Sequence, residues 1–516
     1  MLLREESLSR KFITRGAWIY FFVFLTAPMG YIIRIILTGS LTPEEVGIIY
    51  WTMWLLAFLW SYTDFWLTES LNYFLPKYII QNDYARAKYL LSLTMLTQII
   101  TSTLISIGLY FWATWIADQY FHSHNAKEVI QIMSLYFIGN HVLQVMTTFM
   151  NAVQHTKILK TIDFIRIFMI VLWACILYFS GKGNLLTYSW IWLVWLYIAL
   201  IICSFIFYKR YYQPHLNLKE RKDLSLKRHF IQYSLGTLFS ANVASVLHQA
   251  DMQILTYFLW VYNTGIYSIY LSLIGIPFLF LWPIIAFLFP VLSEIGGKKE
   301  YEKVTTIFWL FSTYLGILGI WIWALYLMMG KELSWFLFWE NFLSAGTALY
   351  FIAPFLIFNI LMQINFQIMS GLWHIRKRIS ILLWALLINL IITFISILGF
   401  KYWFIPFPSG SSAASFSVGI SWVFMWYMSY RAIIEYTGGF NWQLFFKNLI
   451  AILIILIIFQ KLESSLSFTF WLWGRLQFLP QIGFAFIGSL GIFLAVNFSQ
   501  IGEFIQTIKN VRKGTL

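Results

Sequence analysis

Apolar runs of about 20 residues or more, the length that carries an α-helix across a bilayer, recur along the whole chain with only short polar breaks between them. They fall near residues 13–37, 46–72, 89–116, 129–153, 162–180, 186–208, 230–260, 265–292, 304–329, 346–371, 380–403, 413–431, 447–464 and 478–500. This predicts fourteen transmembrane helices, with no stretch between them long enough for a soluble domain. The aromatic stretch from Trp335 to Leu343 fits the interface. Of 516 residues, 60% are hydrophobic and only 11% charged, more hydrocarbon than a water-soluble surface can hide. The 21% aromatic content excludes a disordered chain. Cys175 and Cys203 lie inside apolar runs, which excludes a disulfide scaffold. The first run lacks a small-residue cleavage pattern and reads as a retained span.

The net charge of +14 acquires meaning from its placement. With the N-terminus in the cytoplasm, the inner segments carry 27 of the 35 Lys and Arg and the outer loops six. Arg34 and Arg166 lie within spans. Such an alternation is the positive-inside pattern of a multi-pass inner or plasma membrane protein. Both termini and the segment from Lys209 to Arg228 are then cytoplasmic. The positive charge is accounted for by topology and by the anionic inner leaflet, not by nucleic acid.

The chain also resembles itself. A shift of 218 lays Ile36-Leu37-Thr38 on Ile254-Leu255-Thr256, Leu41 on Leu259, and Gly47-Ile48 on Gly265-Ile266. A shift of 219 lays Asn140 on Asn359, Gln144 on Gln363, Met150 on Met369 and His155 on His374. Asn, Gln and His are rare in spans, so these matches carry more than Leu or Ile matches. The expected architecture is an all-α polytopic protein of two pseudo-symmetric six-helix lobes plus two further helices. The N-terminal lobe is 1–208, the cytoplasmic linker 209–229 and the C-terminal lobe 230–435, with spans 13 and 14 and a tail in 436–516. Six is even, so both lobes have one orientation and are related by an axis along the membrane normal.

Polar groups inside the membrane are costly and mark function or packing. In span 7, Asn242, Ser245, His248, Gln249, Asp251 and Gln253 lie opposite an apolar stripe of Val243, Val246, Leu247, Ala250 and Ile254. In span 1, Tyr20, Ala27, Tyr31, Arg34 and Thr38 share a face, and Pro28 with Gly30 predicts a kink. Spans 4 and 10 bear the stripes Asn140–Gln144–Thr148–Asn151 and Asn359–Gln363–Gln367–Ser370. Such stripes line a wet cavity or bond helix to helix, and periodicity leaves both open. Arg34 has the alternative of snorkelling outward. Asp64, Glu69, Asp163 and Arg166 read as interfacial. No His/Cys cluster has metal-ligand spacing and no Gly-rich loop precedes a Lys. Catalytic residues, metals and cofactors are therefore not expected.

The joins between spans carry a resemblance. Arg34 leads through Leu41-Thr42-Pro43-Glu44 to Val46-Gly47 and Tyr50, and Asp251 through Ile254 to Gly265-Ile266-Tyr267. Phe289-Pro290-Val291-Leu292-Ser293 closes span 8, and Gly371 to Arg378 forms the turn after span 10. With these, nearly the whole chain resembles the multidrug/oligosaccharidyl-lipid/polysaccharide exporter superfamily, and within it the bacterial O-antigen-type polysaccharide flippases. The resemblance implies a MATE-like fold and the movement of polyprenyl-diphosphate-linked oligosaccharide from inner to outer leaflet, for cell-surface polysaccharide. The polar residues inside the spans then become the candidate site: substrate contacts at Arg34, Asn140, Gln144, Asn242, Asn359 and Gln363, ion coupling or a gate at Asp251 and His248, and a hinge at Pro28. The implied partners are the lipid-linked oligosaccharide, the bilayer, H+ or Na+, and polysaccharide-assembly proteins. Two features depart from the pattern. Span 12 opens with Gly410-Ser411-Ser412-Ala413-Ala414 where a tighter Gly-Ala-Ala is common, and the arginine run near span 1 of many lipid II flippases is missing. The rival readings are a drug or cation antiporter, a lipid II flippase, and an integral membrane glycosyltransferase or polymerase.

Overall fold

The computed structural model describes residues 8–65, 67–153, 155–298, 301–372, 374–438, 442–465 and 479–497. Among the residues singled out above, the side chains of Tyr20, Asn242, Ser245, His248, Pro290 and Ser293 lie outside the described ones. Among the described residues every regular element is helical. Among the described residues each of the fourteen apolar runs is mostly helical, two of them as a pair of helices, and nine helical stretches are individually long and apolar enough to cross a membrane.

The chain divides into two compact units, Met1–Gly265 and Ile266–Leu516. The first holds α1 (Leu8–Ser40), α2 (Pro43–Thr63), α3 (Leu67–Ile80), α4 (Tyr84–Trp115), α5 (Ala126–Ala152), α6 (Thr156–Phe179), α7 (Leu185–Phe207) and the beginning of α8 (Leu224–Lys298). The second holds the remainder of α8, then α9 (Tyr301–Phe338), α10 (Leu343–Ile352), α11 (Leu356–Gly371), α12 (Ile375–Lys401), α13 (Gly410–Thr437), α14 (Trp442–Ser465) and α15 (Leu479–Val496).

Local chemistry explains the boundaries. Pro43 opens α2, where a missing N–H costs nothing. Thr42 and Glu45 close a reciprocal capping box there, Thr42 N–H to Glu45 Oε2 at 2.9 Å and Glu45 N–H to Thr42 Oγ1 at 3.3 Å. Asn184 does the same for α7 with Thr187. Pro354 falls in a 3₁₀ turn, Ala353–Phe355, that separates α10 from α11.

The structure breaks the second apolar run, which reads as continuous. α2 ends at Thr63, Phe65 takes a left-handed φ of 46°, and α3 starts at Leu67. Runs 7 and 8 form one helical stretch interrupted only at Trp260 (φ 67°, ψ 167°). α9 is interrupted at Met329 (φ −139°, ψ 19°), and the stretch beyond it, with Trp335, is helical again as far as Phe338. Pro28 lies inside α1, whose helix continues through it. Tyr208–Leu216 prolong α7 as wide π-turns, and the loop that follows is fastened to the start of α4. There Arg86 bridges Asp83 and Asp223, each at 3.2 Å, and Lys88 Nζ donates to Leu218 O at 2.8 Å.

Packing repeats between the units. In the first, α4 packs on α5, and α7 on both α5 and α6; in the second, α9 packs on α11, and α13 on both α11 and α12. The matched histidines occupy matched turns. His155 N–H donates to Met150 O at 3.0 Å, and His374 N–H to Met369 O at 2.7 Å. Each ring faces a tyrosine hydroxyl, Tyr211 at 2.6 Å and Tyr436 at 3.3 Å, with ring centroids 5.5 Å apart in both.

Candidate functional site

Arg34 is the charged residue whose surroundings are most fully defined. The α1 helix brings its guanidinium between two tyrosine faces, 5.7 Å from the Tyr31 centroid and 5.5 Å from that of Tyr50 on α2. Nη1 reaches Gly30 O only at 3.5 Å, and the buried Nε has no partner among the described residues. Arg34 makes no ion pair among the described residues. Cation–π contact holds such a group in place for about 0.5–2 kcal/mol without cancelling its charge. Most of its five N–H donors thus stay uncommitted, in the fork that suits phosphate oxygens.

The two polar stripes separate bonding from lining. Asn140 and Gln144 on α5 are half-buried, as is Gln363 on α11, and Asn359 is 8% exposed. None of these four side chains hydrogen-bonds to any described residue. Elsewhere on α11, Asn365 is 1% exposed and its amide meets Ser429 Oγ of α13 at 3.0 Å. Asn365 is thus the helix-to-helix bond on α11. An amide left unpaired in the interior costs about 1–3 kcal/mol, so amides without a protein partner call for water or another polar group. The last members differ: Ser370 accepts from Arg378 Nη1 at 2.5 Å.

Asp251 is 4% exposed and Gln249 7%. Two residues on, Gln253 is held by Tyr120, whose hydroxyl donates to Gln253 O at 2.8 Å and lies 3.1 Å from Oε1. Tyr120 itself packs on Trp51, centroids 4.9 Å apart. It comes from the wide turns Ile116–Phe121 that prolong α4, and no periodicity signals such a turn.

One centre went unread in the sequence. Asp64, which reads as interfacial, is 4% exposed at the α2–α3 break. Thr68 Oγ1 donates to Asp64 Oδ2 at 2.6 Å, and the Gln98 amide of α4 donates to Oδ1. The signal available was an Asp one turn before a Thr, with no basic residue nearby.

At the Lys- and Arg-rich end of the first unit, a cleft of about 880 Å³ is lined by Tyr73, Lys77, Arg86, His229, Gln232 and Tyr233 among others. Tyr73 and Tyr233 stack across it at 4.7 Å and 13°.

The chain is similar over this architecture to known proteins. The membrane protein MJ1068 of Methanocaldococcus jannaschii is 22% identical over 447 residues, 82% of this chain and 85% of that one. The lipid II flippase MurJ in an inward closed conformation superposes with a TM-score of 0.67 at 14% identity, covering 95% of this chain and 100% of that one. An inward-facing multidrug resistance MATE transporter superposes at 0.62 with 11% identity, covering 84% and 96%. These structural likenesses show that the chain shares the fold of that flippase and that transporter. The polysaccharide biosynthesis protein family matches residues 13–296, more than half of the chain. On that match, and on the paired polar helices that its fold repeats, the chain belongs to the polysaccharide biosynthesis protein family.

Proposed function

We propose that this protein moves a polyprenyl-diphosphate-linked oligosaccharide from the inner to the outer leaflet by alternating access. The observation that carries the reading is the pair of amide stripes, Asn140–Gln144 and Asn359–Gln363, which bond to no described residue in either unit. Neutral amides and water suit sugar hydroxyls, which need donors and acceptors but no charge. Arg34, held by tyrosines and free of carboxylates, supplies the cation that a diphosphate requires on leaving water. The polyprenyl tail stays in lipid, so only the headgroup needs a polar path. Pro28 serves as the hinge of α1, and Asp251 with His248 as a proton or Na+ site. Both termini face the cytoplasm, as does the aromatic cleft beside Lys77, where stacked tyrosines suit a sugar face. No covalent chemistry is involved.

The test is restoration of surface polysaccharide in a host lacking its own oligosaccharide flippase but supplied with the matching glycosyltransferases. Restoration, with loss of the lipid-linked precursor from the inner leaflet, supports the reading. A precursor pool that stays at the inner leaflet while dye efflux rises would assign a cation antiporter instead.

A further inference from the structure

We propose that the break between α2 and α3 is a binding site for a single monovalent cation, Na+ or a proton, with Asp64 as its charged ligand. A role in coupling rests on the transport reading above, whereas the existence of the site does not.

The argument begins with charge. The Asp64 carboxylate is 4% exposed, and no Lys, Arg or His lies within ion-pair distance of it among the described residues. Its partners are neutral: Thr68 Oγ1, the Thr68 backbone N–H and the Gln98 amide. A carboxylate taken out of water without a counter-charge either protonates or holds a cation. One carboxylate is neutralised by one positive charge. Among the described residues no group of three His, Cys, Asp or Glu could hold a metal ion, so a cation here would rest on this one carboxylate and neutral oxygens.

The second observation is Gln98. It is 1% exposed, and its Oε1 is buried with no partner among the described residues. Its nitrogen end lies on Asp64 Oδ1 and Asp64 O, so the orphaned oxygen stands within one amide's width of the carboxylate. As placed, the amide donates to the carboxylate and leaves Oε1 beside it as a buried neutral oxygen that still lacks a cation or a proton donor. Asp64 also follows the C-terminal end of α2, whose partial negative charge favours a cation.

The plain alternative is that Asp64 only caps α3. A cap accounts for the Thr68 contacts. It does not account for Gln98, which α4 delivers four turns above its start, about 21 Å along the helix. Nor does it account for Ser234 of α8, whose hydroxyl donates to the carbonyl of Phe65, the left-handed residue of the break. Ser234 thereby ties the break to the helix that carries Asp251.

The other groups around the site are few. Glu69 of α3 acts on Asp64 through space and is exposed. His141 of α5 contacts the neighbouring Thr63 hydroxyl at 3.0 Å.

The test is thermal unfolding of the purified full chain. In NaCl against choline chloride at equal ionic strength and pH 8, a midpoint that rises with each tenfold increase in Na+ identifies a Na+ site. A midpoint blind to Na+, but raised on going from pH 8 to pH 6 relative to Asp64→Asn, identifies a proton site. In either case the shift should vanish in Asp64→Asn and persist in Glu69→Gln and His141→Gln; in Gln98→Leu a Na+ shift should shrink, whereas a proton shift should grow, because the amide donates to the charged carboxylate. Should Asp64→Asn not fold, Gln98→Leu and Thr68→Val carry the test. Na+ and acid responses identical in wild type and the site variants would overturn the proposal. Because no transported substrate enters, that result would leave the flippase reading standing.

Discussion

Gly47 and Gly265, 218 residues apart, press against each other in a contact that is its own image. A Cβ on Gly47 would overlap the Val261 carbonyl oxygen and come within 2.8 Å of Gly265 N. A Cβ on Gly265 would overlap the Pro43 carbonyl oxygen and come within 3.0 Å of Gly47 N. The shift that maps Gly47 onto Gly265 also maps Pro43 onto Val261. Backbone thus meets backbone at two glycines that the sequence repeat aligns, where only glycine fits. Gly47→Ala or Gly265→Ala should each cost about 1–3 kcal/mol by forcing the helices apart. Gly108→Ala, with nothing within 4 Å, should be neutral or stabilising. Thermal midpoints of the three variants check this.

Arg34 should matter through its charge and its fork together. Arg34→Ala should abolish restoration of surface polysaccharide, and Arg34→Lys should keep a fraction of it as a point charge. Tyr50→Leu removes one face of the cage, and should weaken transport less than Arg34→Ala. Surface polysaccharide, measured at equal protein levels, distinguishes these. Full transport by Arg34→Ala would return this residue to a structural role.

The stripe amides and the bonding amide should respond oppositely. Asn140→Leu and Asn359→Leu should reduce transport while leaving the unfolding midpoint unchanged or raised. Asn365→Leu removes its bond to the Ser429 hydroxyl, which keeps its bond to Trp426 O, and should destabilise by about 0.5–1.5 kcal/mol. A stability loss at Asn140 equal to that at Asn365 would make the stripe a helix-to-helix bond.

The twin His–Tyr turns should weigh similarly. Tyr211→Phe and Tyr436→Phe should each cost about 0.5–1.5 kcal/mol, the net worth of one hydrogen bond. For His374, burial and then the nearby Lys377 hold the imidazole below its usual pKa, with Glu435 offsetting part of this. In that window the unfolded chain binds more protons than the folded one. The contribution is thus complete above the unfolded value of about 6.5 and lost as the pH falls below it. Between pH 7.5 and 5.5 the midpoint of His374→Gln should fall less than that of wild type.

Topology is checked by accessibility. With Cys175 and Cys203 replaced, Lys182→Cys should react with an impermeant thiol reagent in intact cells and Lys219→Cys should not. Both positions are exposed, so a difference reports on sidedness. Labelling at both would break the alternation of the spans.

Helix positions, class and repeat were legible because each is written in local pattern. About 20 apolar residues suffice for a span, Lys and Arg report which side a loop lies on, and a repeat is a shift in register. His155 and His374 matched in the chain and occupy the same turn in space. What stayed hidden depends on groups distant in sequence. Asp64 read as interfacial because hydropathy does not register a helix break or the arrival of Gln98 from 34 residues away. The two roles of polar residues on α11, Asn365 bonding α13 and Asn359 left unpaired, sit less than two turns apart on one helix. Which face meets a neighbour and which meets water is decided when the helices pack, because a hydrogen bond needs its partner at about 3 Å and periodicity supplies only one side of it.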